Sequence, residues 1–129
     1  MVVDTSALLA VILDEPEAER FRDLIAGAAT LKASTLTVLE ASLVLEGRFR
    51  SGASRELDLL LSHTGFEFVP FDEEQLRLAR RAWRKYGKGN HPAGLNMGDC
   101  ASYALSKATG EPLLFKGSDF PQTDVVSAA

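Results

Sequence analysis

Val2-Val3-Asp4-Thr5-Ser6-Ala7-Leu8-Leu9-Ala10-Val11-Ile12-Leu13 decides how the rest of the chain is read. Two β-branched residues form a short apolar run that ends at an acid, and a helix is predicted over residues 5–13. The apolar part, from Ala7 to Leu13, is too short to span a membrane. Asp4 and Asp14-Glu15 flank it, and no basic segment precedes it, which is wrong for a signal peptide. The expectation is a soluble protein with no membrane partner.

The alternation continues outward from this opening. Pro16 suits the first turn of a second helix, in which Ala18, Phe21, Leu24 and Ile25 recur at helical spacing until Gly27. Residues 30–34 read as a strand. A helix follows with the stripe Leu36, Glu40, Leu43, Val44 and Gly47, then another after Gly52 with Leu57, Leu60 and Leu61, closed by Gly65. Residues 66–71 are β-rich. Asp72 and Gln75 form a capping pair for a helix whose stripe is Leu76, Ala79, Trp83 and Tyr86. After a loop at 87–94, Asn96 caps a helix with Met97, Ala101, Ala104, Leu105 and Ala108 inward, and Gly110 stops it. Residues 113–115 and 124–127 supply two further short strands. The order β-α-α-β-α-α-β-α-α-β-β, free of repeats and linkers, implies one domain over residues 1–129. The fold class is α/β: a three-layer α/β/α sandwich around a mostly parallel sheet of four or five strands.

A length of 129 residues suits a single domain, and 46% hydrophobic with 25% charged residues excludes wholesale disorder. The lone Cys100 rules out an internal disulfide framework and points to a reducing, cytoplasmic location. A net charge of −4 argues on average against nucleic acid. Its distribution argues otherwise. Residues 75–98 contain no acid, yet Arg77, Arg80, Arg81, Arg84, Lys85 and Lys88 fall there, leaving eight basic residues against 18 acids elsewhere. Such a segment can track phosphates, and it can equally be a solvated helix face. Trp83 and Tyr86 read as core rather than base-stacking residues, because they share the apolar stripe. The loop around Lys88 and His91 lies where it can close over a bound strand.

Four carboxylates are placed where ligands bind in open α/β sheets, beyond the carboxyl ends of the strands. Asp4 ends the first strand, Glu40 lies one turn into the helix after the second, Asp99 opens the helix begun at Asn96, and Asp119 follows the strand at 113–115. Converging there, they raise one another's pKa unless cations neutralise them, and hard oxygen donors suit Mg²⁺ or Mn²⁺. Each also has a structural reading as a helix cap or turn residue. Glu40 strains that reading most, since an inward-facing carboxylate needs a partner and no basic residue is near it in sequence. Nucleotide-binding glycine loops and zinc-ligand spacings are missing from the sequence.

Val3-Asp4-Thr5-Ser6-Ala7, Glu40 after Ser34-Thr35, Gly98-Asp99-Cys100 before Tyr103-Ala104, and Leu114-Phe115-Lys116-Gly117-Ser118-Asp119-Phe120 resemble, in order, the acidic motifs of the PIN-domain family. The nearest likeness is to the VapC-type toxin ribonucleases of bacterial toxin–antitoxin pairs. The resemblance covers essentially the whole chain and rests on four motifs together. It implies that Asp4, Glu40, Asp99 and Asp119 bind divalent metal and carry catalysis, with Ser6 supporting the cluster by hydrogen bonding, Ser118 sharing the role of Asp119, and Asp124 either supporting the site or serving the structure. It implies a Mg²⁺-dependent endoribonuclease, with Mn²⁺ as a substitute. RNA is then the substrate, held by Arg80, Arg81, Arg84, Lys85 and Lys88. A small antitoxin and a second toxin copy in a homodimer are the implied protein partners. Two other readings stand beside it. An aspartyl-phosphate phosphatase with Asp4 as nucleophile expects a second acid at position 6, where Ser6 stands. A catalytically silent binding module leaves four ordered acids without a purpose.

Overall fold

The computed structural model describes residues 1–48 and 52–129. Its elements run β1 (Val2–Val3), α1 (Thr5–Ile12), α2 (Ala18–Gly27), β2 (Lys32–Ser34), α3 (Thr35–Arg48), α4 (Gly52–His63), β3 (Glu67–Val69), α5 (Glu73–Tyr86), α6 (Met97–Thr109) and β4 (Leu113–Leu114). The strands form one all-parallel sheet in the order β3-β2-β1-β4. Val2 pairs with Lys32 on one side and Leu113 on the other, so β1 is central.

Period-two alternation along these short strands sorts the core into two halves. Val3 and Leu114 join the apolar cluster of α1, α2, α3 and α4, which includes Leu8, Phe21, Leu45 and Leu57. Val2 and Leu113 join the opposite cluster with Ala82, Tyr86, Tyr103 and Leu105 of α5 and α6. The sheet is thus covered on both faces, and the expected three-layer α/β/α arrangement is present. Fully burying one such Leu contributes roughly 1.5–3 kcal/mol. Lys32 pairs with Glu111 at the amino edge, tying β2 to the turn before β4. At the end of α6, Gly110 adopts φ 69°, the left-handed cap that a side chain disfavours. No helix among the described residues is long and apolar enough to cross a membrane.

Four expectations need correction. The strand expected at 124–127 reduces to one parallel bridge between Leu113 and Ser127, so the sheet has four strands. On α3 the buried residues are Thr37, Ala41 and Leu45, while Leu43 of the expected stripe is 63% exposed. On α5 they are Gln75, Ala82 and Tyr86, and Leu76 and Trp83 face outward. Small Ala82 lets α5 approach α6 closely, and the inward Gln75 donates its amide N–H to the Pro70 carbonyl at 3.0 Å while its Oε1 finds no partner among the described residues. Met97, expected inward on α6, is also exposed.

Candidate active site

The sheet order creates the site. From central β1 the chain moves to β2 and β3 on one side and returns to β4 on the other, so the segments leaving β1 and β4 part at the carboxyl edge. Asp4 leaves β1 there and N-caps α1. It is only 2% exposed, and both carboxylate oxygens are held. Oδ2 accepts from the Ser6 backbone N–H at 3.0 Å and the Ser6 hydroxyl at 2.7 Å. Oδ1 accepts from the Ser102 hydroxyl at 2.5 Å, and Ser102 lies 3.2 Å from the buried Thr37 hydroxyl. Ser6 Oγ in turn accepts from the Lys116 N–H at 2.9 Å, joining the end of β1 to the segment after β4.

Glu40 finds its partner on another helix. The Thr5 hydroxyl donates to Oε1 at 2.5 Å. Its carboxylate lies over the first turn of α6, where Gly98 leaves room: a Cβ at Gly98 would stand 2.3 and 2.4 Å from the two Glu40 oxygens. Asp99, next in the chain, closes a capping box, accepting from the Asn96 N–H at 3.0 Å while Asn96 Oδ1 accepts from the Asp99 N–H at 2.9 Å. Its structural reading as a cap is therefore correct, and it has a second property. Burial pushes the Asp99 carboxyl up to about 7, and the charges of Asp4, Asp119 and Glu40 add to the rise, against the Asn96 hydrogen bond. The four acids share one field. None of them forms an ion pair among the described residues.

Asp119 is exposed and begins a single 3-10 turn without capping it through its side chain. Among the described residues no three His, Cys, Asp or Glu side chains are close enough together to form a ready-made metal cage. The donor set still suits a hard cation. It is all oxygen, and Mg²⁺ keeps several waters while taking one or two carboxylates. Neighbouring Cys100 is buried, and its thiol is pushed up to about 11 by that burial, which leaves it inert.

Ser6 stands where the motif reading puts it, against Asp4. Ser118 does not: it is exposed, and its carbonyl, not its hydroxyl, is engaged, by Gln122. Asp124 is also elsewhere. It accepts from the Tyr103 hydroxyl at 2.6 Å and pairs with Lys107 at 2.9 Å, two turns along α6 from Asp99 or about 12 Å. That makes it a tie for the C-terminal segment. Ser102 escapes the sequence reading, and Gly98 enters it only as part of a motif with no role of its own, because the partners of both lie far away along the chain.

The basic residues from Arg80 to Lys88 border two cavities. Arg80, Arg84 and Lys88 border one of about 570 Å³ between α5 and the start of α6, next to Trp83. Arg81 and Lys85 border a second of about 630 Å³ with Lys107 and Asp124, and Arg84, between the two, borders both. The loop after α5 is pinned by the Lys88 N–H on the Leu95 carbonyl at 2.9 Å and by the Ala93 N–H on His91 Nδ1 at 3.0 Å.

Comparison with known proteins bears on the family and the fold. The PIN-domain profile matches residues 1–126. Ribonuclease VapC30 of Mycobacterium tuberculosis is 50% identical over 129 residues, all of this chain and 98% of its own. Ribonuclease VapC of Mycolicibacterium smegmatis is 50% identical over 127 residues, 98% of each chain. Among solved structures, VapC20 of Mycobacterium tuberculosis, described as a Sarcin-Ricin loop cleaving toxin, gives a TM-score of 0.78 at 16% identity, over 97% of this chain and 95% of that one. A toxin–antitoxin complex from Klebsiella pneumoniae gives 0.73 at 18% identity, over 99% and 97%. At such identities these two speak to the fold alone. By profile, by full-length relatives and by sheet order, the chain belongs to the PIN-domain family and to the VapC type within it.

Proposed function

We propose that this protein is a divalent-metal-dependent endoribonuclease and the toxin of a toxin–antitoxin pair. The observation that carries the reading is a set of acids without an ion pair among the described residues, in which Asp99 is pushed up to about 7 by burial and, less strongly, by the charges of Asp4, Asp119 and Glu40. Such an array is costly until a cation neutralises it. Full-length relatives named as VapC ribonucleases support the activity, and membership of the VapC type supports the toxin assignment and an antitoxin partner. Asp4, Glu40, Asp99 and Asp119 are the residues that would hold Mg²⁺ or Mn²⁺. When bound, the ion supplies Lewis-acid polarisation of the scissile phosphodiester and an acidified water for in-line attack.

The chain's own groups do the rest. Ser6 and Ser102 fix Asp4, and Thr5 fixes Glu40, so the carboxylates are oriented before any ligand arrives. Arg80, Arg84 and Lys88 offer unpaired positive charge to phosphates on the flank of α6. The phosphatase reading expects a second acid at position 6, and Ser6 stands there as a hydrogen-bond donor to Asp4 instead. Exposed Leu39 and Leu43 on α3 give a second copy an apolar face to cover, in keeping with a homodimer.

Single-turnover cleavage of end-labelled RNA tests the reading. Activity is expected in Mg²⁺ or Mn²⁺, little in Ca²⁺ and none in excess chelator. A water nucleophile does not need the 2′-hydroxyl, so a 2′-deoxy substitution at the cut is tolerated. Full activity in chelator refutes the metal mechanism.

A further inference from the structure

Helix α5 carries the chain's only tryptophan, and the structure leaves that ring outside the core. Trp83 is 43% exposed and faces the 570 Å³ cavity beside α6. The cavity walls are mostly carbon, from Leu76, Ala79, Met97 and Ala101, and Arg80, Arg84 and Lys88 border it. None of these three cations pairs with an acid among the described residues. The indole also has backbone support. A Cβ at Gly87 would stand 2.7 Å from its Cδ2 and 2.9 Å from its Cε3, so the bare backbone of Gly87 packs directly against the ring.

A flat aromatic face bordered by unpaired cations, on a chain of net charge −4, complements a polyanion that carries planar rings. An apolar protein helix would use the carbon walls but leave three positive charges without partners. We propose that Trp83 is a stacking platform for one unpaired base of single-stranded RNA, with Arg80, Arg84 and Lys88 holding the adjoining phosphates. The proposal rests on the ribonuclease reading above. Its geometry adds a position. Met97 and Cys100 face the cavity whereas Gly98 and Asp99 face the acids, so the two sites lie on opposite flanks of one helix, about 10–12 Å apart. The stacked base therefore belongs to a nucleotide beside the cut, and Trp83 selects for RNA that is unpaired there.

Because Trp83 is the sole tryptophan, its own emission reports the stacking. Asp99→Asn protein, which binds without cutting, is titrated with a short single-stranded RNA, and affinity is measured in parallel from the anisotropy of an end label. RNA is expected to quench the emission with the midpoint seen by anisotropy. Trp83→Leu is expected to bind about 5- to 150-fold more weakly, and Trp83→Phe to recover part of the loss. One abasic nucleotide, moved along the RNA, should weaken binding at a single position and do so only while Trp83 is present. Unchanged affinity in Trp83→Leu, with emission unmoved by RNA, overturns the platform. Emission that responds to the cognate antitoxin but not to RNA overturns it too, and makes the groove a protein-docking face. Cleavage by the wild-type protein is followed separately: if it persists while stacking fails, the platform alone is wrong, and if no RNA is cut in Mg²⁺, the ribonuclease reading falls with it.

Discussion

Replacing Asp99 by Asn should make the metal-free protein more stable at neutral pH. The native carboxyl titrates at about 7 rather than the ordinary 3.8, with burial the largest cause. Between those two values the folded state binds more protons than the unfolded state, so stability falls as pH rises. The contribution is fully present below about pH 4 and is lost as pH passes about 7. A displacement from 3.8 to about 7 corresponds to roughly 4 kcal/mol between protonation states. Asp99 keeps part of its surface in water, and screening there reduces the expected cost of ionisation to about 1–2 kcal/mol. Asn retains a carbonyl that can accept from the Asn96 N–H, so the cap survives. For a domain of this size the gain amounts to roughly 3–8 °C in Tm above pH 7. The assay is thermal unfolding by circular dichroism from pH 4 to 8 in chelator. Wild type should lose Tm across that range, and Asp99→Asn should lose less. Parallel curves, or a lower Tm for Asp99→Asn at pH 8, would refute the argument that Asp99 sits in an uncompensated acidic field.

Gly98→Ala places a Cβ against the Glu40 carboxylate, which is the movable end of a side chain. Stability should change by less than about 1 kcal/mol, because Ala favours the helix while the Thr5 bond to Glu40 is lost, and RNA cleavage should fall at least tenfold. Normal turnover would remove Glu40 from the site. Ser102→Ala strips a buried hydroxyl from Asp4 and should cost about 1.5–3 kcal/mol in urea unfolding and weaken Mn²⁺ binding; unchanged values in both would show that Asp4 needs no such support. The Arg80→Ala/Arg84→Ala/Lys88→Ala variant should weaken RNA binding and flatten its salt dependence by about 0.7 in the log–log slope for each phosphate it no longer neutralises. Arg81→Ala/Lys85→Ala, on the other cavity, should leave that slope as it is, and equal effects of the two variants would dissolve the distinction between the faces.

The strand-then-helix opening, the alternation of strands and helices and the helix caps are legible in the sequence because each is a local pattern. Asp4 caps α1 and Asp99 closes its capping box within four residues, so short spacing suffices. What escapes depends on packing across the chain. The stripe of α5 reads around Leu76 and Trp83 because large apolar residues normally face inward, whereas the close approach of α6 requires the small Ala82 there. Glu40 looks stranded on its stripe because its partner, Thr5, is 35 residues away. Ser102 lies 98 residues from Asp4, and Gly98 matters only because Glu40 passes over it. Nothing near either residue in the sequence announces those roles. Asp124 matches a familiar position, yet its partners Tyr103 and Lys107 hold it near the far end of α6.

Direct binding of Mn²⁺, followed by the loss of the free-ion EPR signal, tests most closely whether this cluster of acids holds an ion. Wild type should take up Mn²⁺, Asp4→Asn and Asp99→Asn should each bind at least tenfold more weakly, and Asp124→Asn should bind like wild type. Equal Mn²⁺ binding by wild type, Asp4→Asn and Asp99→Asn would contradict the account.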